Sequence, residues 1–190
     1  MRHSLQQIAR YFILFMAVSF LGWGAETLFF LLCYGRFYDR GFLTLPFCTI
    51  YGCSFLLLYG LIGTPADTES GLLRSFKKTT RHPLLIYALI SAFVVTLLEL
   101  ITGWAFDQVF QLRLWNYSAY YFHFHGYICL EYALLWGLLL PPCMRYAWIP
   151  LKNFVFSLPL PYLHSVSVSL AFLTLLDWSL NLYRQSSTFL

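Results

Sequence analysis

Charged side chains are scarce in this 190-residue chain, at only 11%. A soluble domain carries roughly 25%. There is too little polar side chain here to cover a water-facing surface, which excludes an ordinary soluble globular domain. No glycine-rich phosphate loop is present, so the chain has no intrinsic ATP site and does not hydrolyse nucleotide by itself. Neither a Gly-x-Ser-x-Gly elbow nor an HExxH pair occurs, and no catalytic residue is assigned. The five cysteines, Cys33, Cys48, Cys53, Cys129 and Cys143, form no CxxC pair and are odd in number. They read as small apolar residues, although a Cys33–Cys48 bridge across the first outer loop is compatible with the sequence. The basic residues sit in short clusters between apolar runs, the pattern of membrane flanks and not of a nucleic-acid groove.

What the chain has in abundance is apolar length. It is 59% hydrophobic and 21% aromatic, with a mean hydropathy of +0.66. Crossing about 30 Å of hydrocarbon takes roughly 20 helical residues. Five runs meet that length, at about 8–33, 42–63, 84–106, 127–148 and 162–183. The expected fold is therefore all-α: a polytopic integral membrane helix bundle, with residues 1–190 forming a single transmembrane domain. Pro46 falls near the start of the second run, where a missing N–H does little harm. Pro141-Pro142 should kink the fourth run or end it early. Arg2, Arg10, Arg74, Lys77, Lys78, Arg81, Arg145 and Lys152 fall on one side, against Arg36, Arg40, Arg113 and Arg184 on the other. The positive-inside bias places the N-terminus in the cytoplasm and the C-terminus outside, in a cell membrane. The first run is too long for a cleavable signal. The loop 64–83 is the most polar segment, and its RSFKKTTRH stretch suits anionic headgroups.

Four acids, Glu26, Glu99, Glu131 and Asp177, lie inside the long apolar runs. A carboxylate in hydrocarbon is costly and needs a cation, a water-filled cavity or a task. By helical rise, Glu26 and Glu99 sit about 10 Å below the outer helix ends, Glu131 about one turn inside the fourth helix, and Asp177 at a similar level in the fifth. The expectation is one polar cavity opening outward. Arg36, Arg40 and Arg113 are the available cations, and pairs such as Glu26–Arg40 and Glu99–Arg113 would also pin the outer loops to the bundle. The aromatic outer loop at 107–126, with Trp115 and Tyr117, is long for a plain connection and suits a cap over the cavity mouth. His123 and His125 would share one side of an extended segment, but two histidines make no metal site; no metal and no cofactor is expected. Gly22, Gly24, Gly52, Gly60, Ser91 and Ala92 are sites of close helix packing. A weak parallel repeat is also readable: an acid-bearing helix, an outer loop and a returning helix, once around Glu26 and once around Glu99.

The segments GWGAETLFF and RFYDRGFLTLPFCTIYG, followed by LELITGWAFDQVF, RLWNYS and GYICLEYALLWG, resemble the membrane family described as putative ABC-transporter type IV, or CmpB-like permeases. The likeness runs over about 20–137. It lands on Gly22, Trp23, Glu26, Arg40, Gly41, Phe42, Pro46, Tyr51, Gly52, Glu99, Thr102, Gly103, Trp115, Tyr117, Ser118, Gly126 and Cys129. The chain departs from the family pattern at Asp39, Leu45, Thr49, Asn116 and Tyr127, where Asn, Gly, Pro, Asp and Arg are usual or common. The resemblance implies a permease-like or transport-associated membrane component. The expected substrate-binding residues are Glu26, Glu99, Arg40, Glu131, Arg113, Trp115 and Tyr117. The expected partners are the lipid bilayer and a second copy or another membrane subunit. The alternatives are a membrane enzyme acting on a lipid-linked substrate through one carboxylate base, and a structural subunit whose buried charges fix helix register.

Overall fold

The computed structural model describes residues 2–37, 41–66, 71 and 82–187. Among them the backbone is mostly helical: α1 (Arg2–Tyr34), α2 (Thr49–Ile62), α3 (Pro83–Phe110), α4 (Leu130–Pro142), α5 (Trp148–Ser157) and α6 (Leu160–Ser187). A two-residue hairpin, β1 (His123–Phe124) with β2 (Ile128–Cys129), precedes α4. Three segments are long and apolar enough to cross a bilayer: Leu5–Tyr34, Pro83–Phe110 and Leu160–Arg184. The apolar α2 is only 14 residues long. Large apolar side chains such as Leu32, Phe93, Val109, Leu138 and Phe172 stand exposed on the helices, as a lipid-facing surface requires. The chain is an integral membrane helix bundle.

Two compact units divide the chain: unit 1 comprises 1–53 and 151–190, and unit 2 comprises 54–150. In unit 1, α1 packs on α6. In unit 2, α3 packs on α4. That contact is close because Gly137 has no side chain; a Cβ there would lie 3.3 Å from both Ala88 O and Ala92 Cβ.

The second helix begins at Thr49 and not near residue 42, leaving Pro46 outside it. Pro46 supplies no N–H, and neighbouring amides are satisfied elsewhere: Leu45 N–H donates to Asp177 Oδ2 at 3.0 Å and Cys48 N–H to Ser19 O at 3.0 Å. At Pro141-Pro142 the regular α-helix stops, as the prolines led one to expect: α4 ends at Pro142. A five-residue π-helical stretch, Cys143–Ala147, follows directly and leads into α5, with Trp148 N–H donating to Cys143 O. One wide turn re-registers the hydrogen bonds after the prolines and lets the helical backbone continue. All five cysteines are free, so Cys33 and Cys48 are not bridged.

Candidate functional site

One face of α3 carries the buried residues Tyr87, Ser91, Val95, Glu99 and Gly103, at a helical turn's spacing. Glu99 is only 5% exposed, and Ser91 is fully buried. The segment after α3 folds back over this face. Gln111 takes a left-handed conformation (φ 52°) and ends the helix, its N–H donating to Phe106 O. Tyr117 then reaches α3 and donates its hydroxyl to Glu99 Oε1 at 3.4 Å. Its ring stacks on Tyr132 of α4, with centroids 4.6 Å apart. Tyr120 meets both rings edge-on, its hydroxyl 3.4 Å from that of Tyr132. Three tyrosines therefore cluster on the loop side of the buried acid.

The loop after α3, which the sequence suggested as a cap over a cavity mouth, is held folded by its own hydrogen bonds. Trp115 Nε1 donates to Tyr127 O at 2.8 Å, and Tyr117 N–H to Gly126 O at 2.8 Å. Asn116 Oδ1 accepts from both the amide and the hydroxyl of Ser118. Gly126 closes the turn at φ +76°, and a Cβ there would sit 2.7 Å from Asn116 Oδ1 and from Ser118 Oγ. Only glycine fits both demands.

Arg113 does not pair with Glu99. Its guanidinium lies 3.8 Å from Asp107 Oδ2, donates to His125 O at 2.9 Å and covers the Tyr127 ring at 5.2 Å. Tyr127 donates its own hydroxyl to Asp107 Oδ2 at 2.6 Å. Arg113 thus brings a cation from the loop onto the Tyr127 ring. Asp107 was missed in the sequence because it lies at the polar end of a helix, where an acid raises no question of cost. Glu131 is exposed and is the second residue of α4, not a turn inside it. There it suits the positive end of the helix dipole. His125 adopts φ +49°, which breaks the extended run expected to align it with His123; His123 Nδ1 accepts from Gly126 N–H. Among the described residues no group of three or more metal-ligand side chains assembles.

Unit 1 holds Glu26, half-buried, with Tyr51 donating its hydroxyl to Oε2 at 3.3 Å. The Tyr51 ring fills the notch left by Gly22, one turn before Glu26: a Cβ on Gly22 would come within 2.7 Å of the Tyr51 Cβ. Asp177 accepts from Leu45 N–H and from Asn181 Nδ2, which also donates to Thr44, so this acid holds the 41–48 segment against α6. Arg40 lies outside the described residues, and the expected Glu26–Arg40 pair with it.

The repeat reappears in a different register from the one expected. Gly22-Trp23-Gly24-Ala25-Glu26 corresponds to Gly103-Trp104-Ala105-Phe106-Asp107. In both, a helical glycine lies under a tyrosine ring and that tyrosine's hydroxyl donates to the acid one turn later. At Gly103 a Cβ would lie 3.4 Å from the Tyr127 ring and 3.3 Å from Trp115. The counterpart of Glu26 is therefore Asp107, not Glu99. Glu99 is an additional acid, found only in the second copy.

No curated protein and no solved structure matches the chain. The sequence profile of the family described as "Putative ABC-transporter type IV" matches residues 13–182. With the motifs that carry this match now placed on the glycine notches, the folded cap and the buried acid, the chain belongs to that family of membrane proteins.

Proposed function

We propose that this protein is a permease-like component of a membrane transport system, and that its polar site in unit 2 is built on Glu99, Tyr117, Trp115 and Arg113. Glu26, with Arg40 close by in sequence, is the polar element proposed for unit 1, and Glu131 is a secondary contributor at the start of α4. The site faces outward, with the N-terminus in the cytoplasm of a cell membrane, in keeping with the excess of Lys and Arg on the other loops. The chain acts beside a second copy or another membrane subunit.

The observation that carries this reading is Glu99 itself. Glu26 and Asp107 accept from tyrosines, Asp177 from the Leu45 amide, and Glu131 stands at the start of α4; Glu99 also accepts from a tyrosine, but of these acids it alone is buried. Glu99 is nine-tenths buried in the middle of a helix that can span a bilayer, where an ionisable group is expensive to hold. A structural subunit is the second reading, favoured by the glycine–tyrosine–acid arrangement, which joins elements.

The test is flux through proteoliposomes against a panel of small charged solutes. Transport predicts flux above empty vesicles that Glu99→Gln lowers by roughly tenfold or more, the scale of one lost hydrogen bond to a charged group, with helicity and melting retained. Flux unchanged by Glu99→Gln, or absent for every solute, would contradict it.

A further inference from the structure

We infer that Arg10 of α1 and Lys152 of α5 form a binding site for the phosphate of an anionic lipid headgroup, at the end of unit 1 remote from Glu26. The site is built on one ring. Phe156 lies half-buried near the end of α5. The Arg10 guanidinium stands over it at 5.3 Å from the centroid, and the Lys152 ammonium at 5.7 Å. Lys152 and Phe156 are one turn apart on α5 and share a face. Tyr11 packs edge-on against the same ring, with centroids 5.4 Å apart, and ties it to α1. A ring face attracts a cation but does not neutralise it. Two cations gathered on one ring repel each other, and an anion bound to both converts that repulsion into attraction.

Arg10 carries the site, and Lys152 adds a second positive charge. Arg10 Nε is buried with no hydrogen-bond acceptor among the described residues, which is costly for a charged donor. Of the three guanidinium nitrogens only Nε is closed off in this way, so the outer edge of the fork is the part left to meet an anion. The described acids of unit 1 are engaged elsewhere. Glu26, held by Tyr51, stands about 24 Å farther along α1 at 1.5 Å per residue. Asp177, held by the Leu45 amide, lies about 25 Å along α6 from its start at Leu160. Arg10 itself sits about 8 Å inside the spanning segment that begins at Leu5. An arginine side chain reaches from there to the headgroup level, where a bilayer presents its phosphates. The guanidinium fork suits two phosphate oxygens. The second cation disfavours a headgroup that carries its own ammonium. The ligand class is therefore a phospholipid of net negative charge.

Native mass spectrometry of the full chain in detergent, titrated with phosphatidylglycerol and separately with phosphatidylcholine, counts the bound lipid directly. Phosphatidylglycerol should bind the more tightly. Arg10→Gln should weaken its first binding step roughly tenfold, the scale of one lost hydrogen bond to a charged group. Arg10→Lys keeps the charge without the fork and should fall between the two. Inorganic phosphate in large excess should leave the lipid in place. Equal affinity for the two lipids, or an unchanged first step in Arg10→Gln, overturns the inference. Displacement by inorganic phosphate also overturns it, the occupant then being a free anion. Should Arg10→Gln fail to fold, an unchanged first step in Lys152→Gln overturns it instead.

Discussion

At the residue scale, two glycines close together on α1 behave differently. A Cβ on Gly22 would run into the Tyr51 ring near its root, where the side chain has little freedom to move, whereas a Cβ on Gly24 meets nothing within 4 Å among the described residues. Gly22→Ala should therefore destabilise the protein by about 1–3 kcal/mol, the range for overpacking. Gly24→Ala should be neutral, or gain up to about 1 kcal/mol of helix propensity. Thermal unfolding in detergent checks both; equal effects would mean that Tyr51 does not occupy the notch. Close packing at Gly22 was legible in the sequence, because a small residue in an apolar helix marks an approach. Its partner was not. Tyr51 is distant along the chain, and no local pattern ties a tyrosine to one glycine rather than another. The same limit hid Asp107. The sequence aligned Glu26 with Glu99 because both are glutamates within apolar runs, while the structure aligns acids by the glycine one turn earlier and the tyrosine seated on it.

At the element scale, the helices were legible from hydropathy, and their ends less so. The run at 42–63 reads as one apolar helix, yet α2 occupies only its second part. Hydropathy cannot register that the amides of Leu45 and Cys48 are claimed by Asp177 and Ser19. Those bonds assign Asp177 a definite task. Asp177→Ala should leave the Leu45 amide without its acceptor, at a cost of about 1–3 kcal/mol. Hydrogen exchange over 43–48 should then accelerate by roughly tenfold, while α3 keeps its protection. Unchanged exchange would show that the segment is held without the acid. Loop length and aromatic content marked the segment after α3 as more than a plain connection, but its pairing was not legible: Arg113 was expected at Glu99 and instead closes the loop end on Asp107 and Tyr127.

At the scale of the whole molecule, composition alone pointed to a membrane bundle, because an 11% charged chain has no means of covering itself for water. Three helices of spanning length and the family match agree with that. The central claim is narrower. It holds that α3 carries a polar face enclosed by protein and an opposite face bathed in lipid. Ser91 and Phe93 lie two residues apart on this helix and so on opposite faces, one fully buried and the other 68% exposed. The native chain in sealed vesicles should be photolabelled with a carbene precursor dissolved in the lipid, and the adducts on α3 located by mass spectrometry. The account predicts adducts on Phe93 and none on Ser91. Adducts on Ser91, with Phe93 untouched, would contradict it.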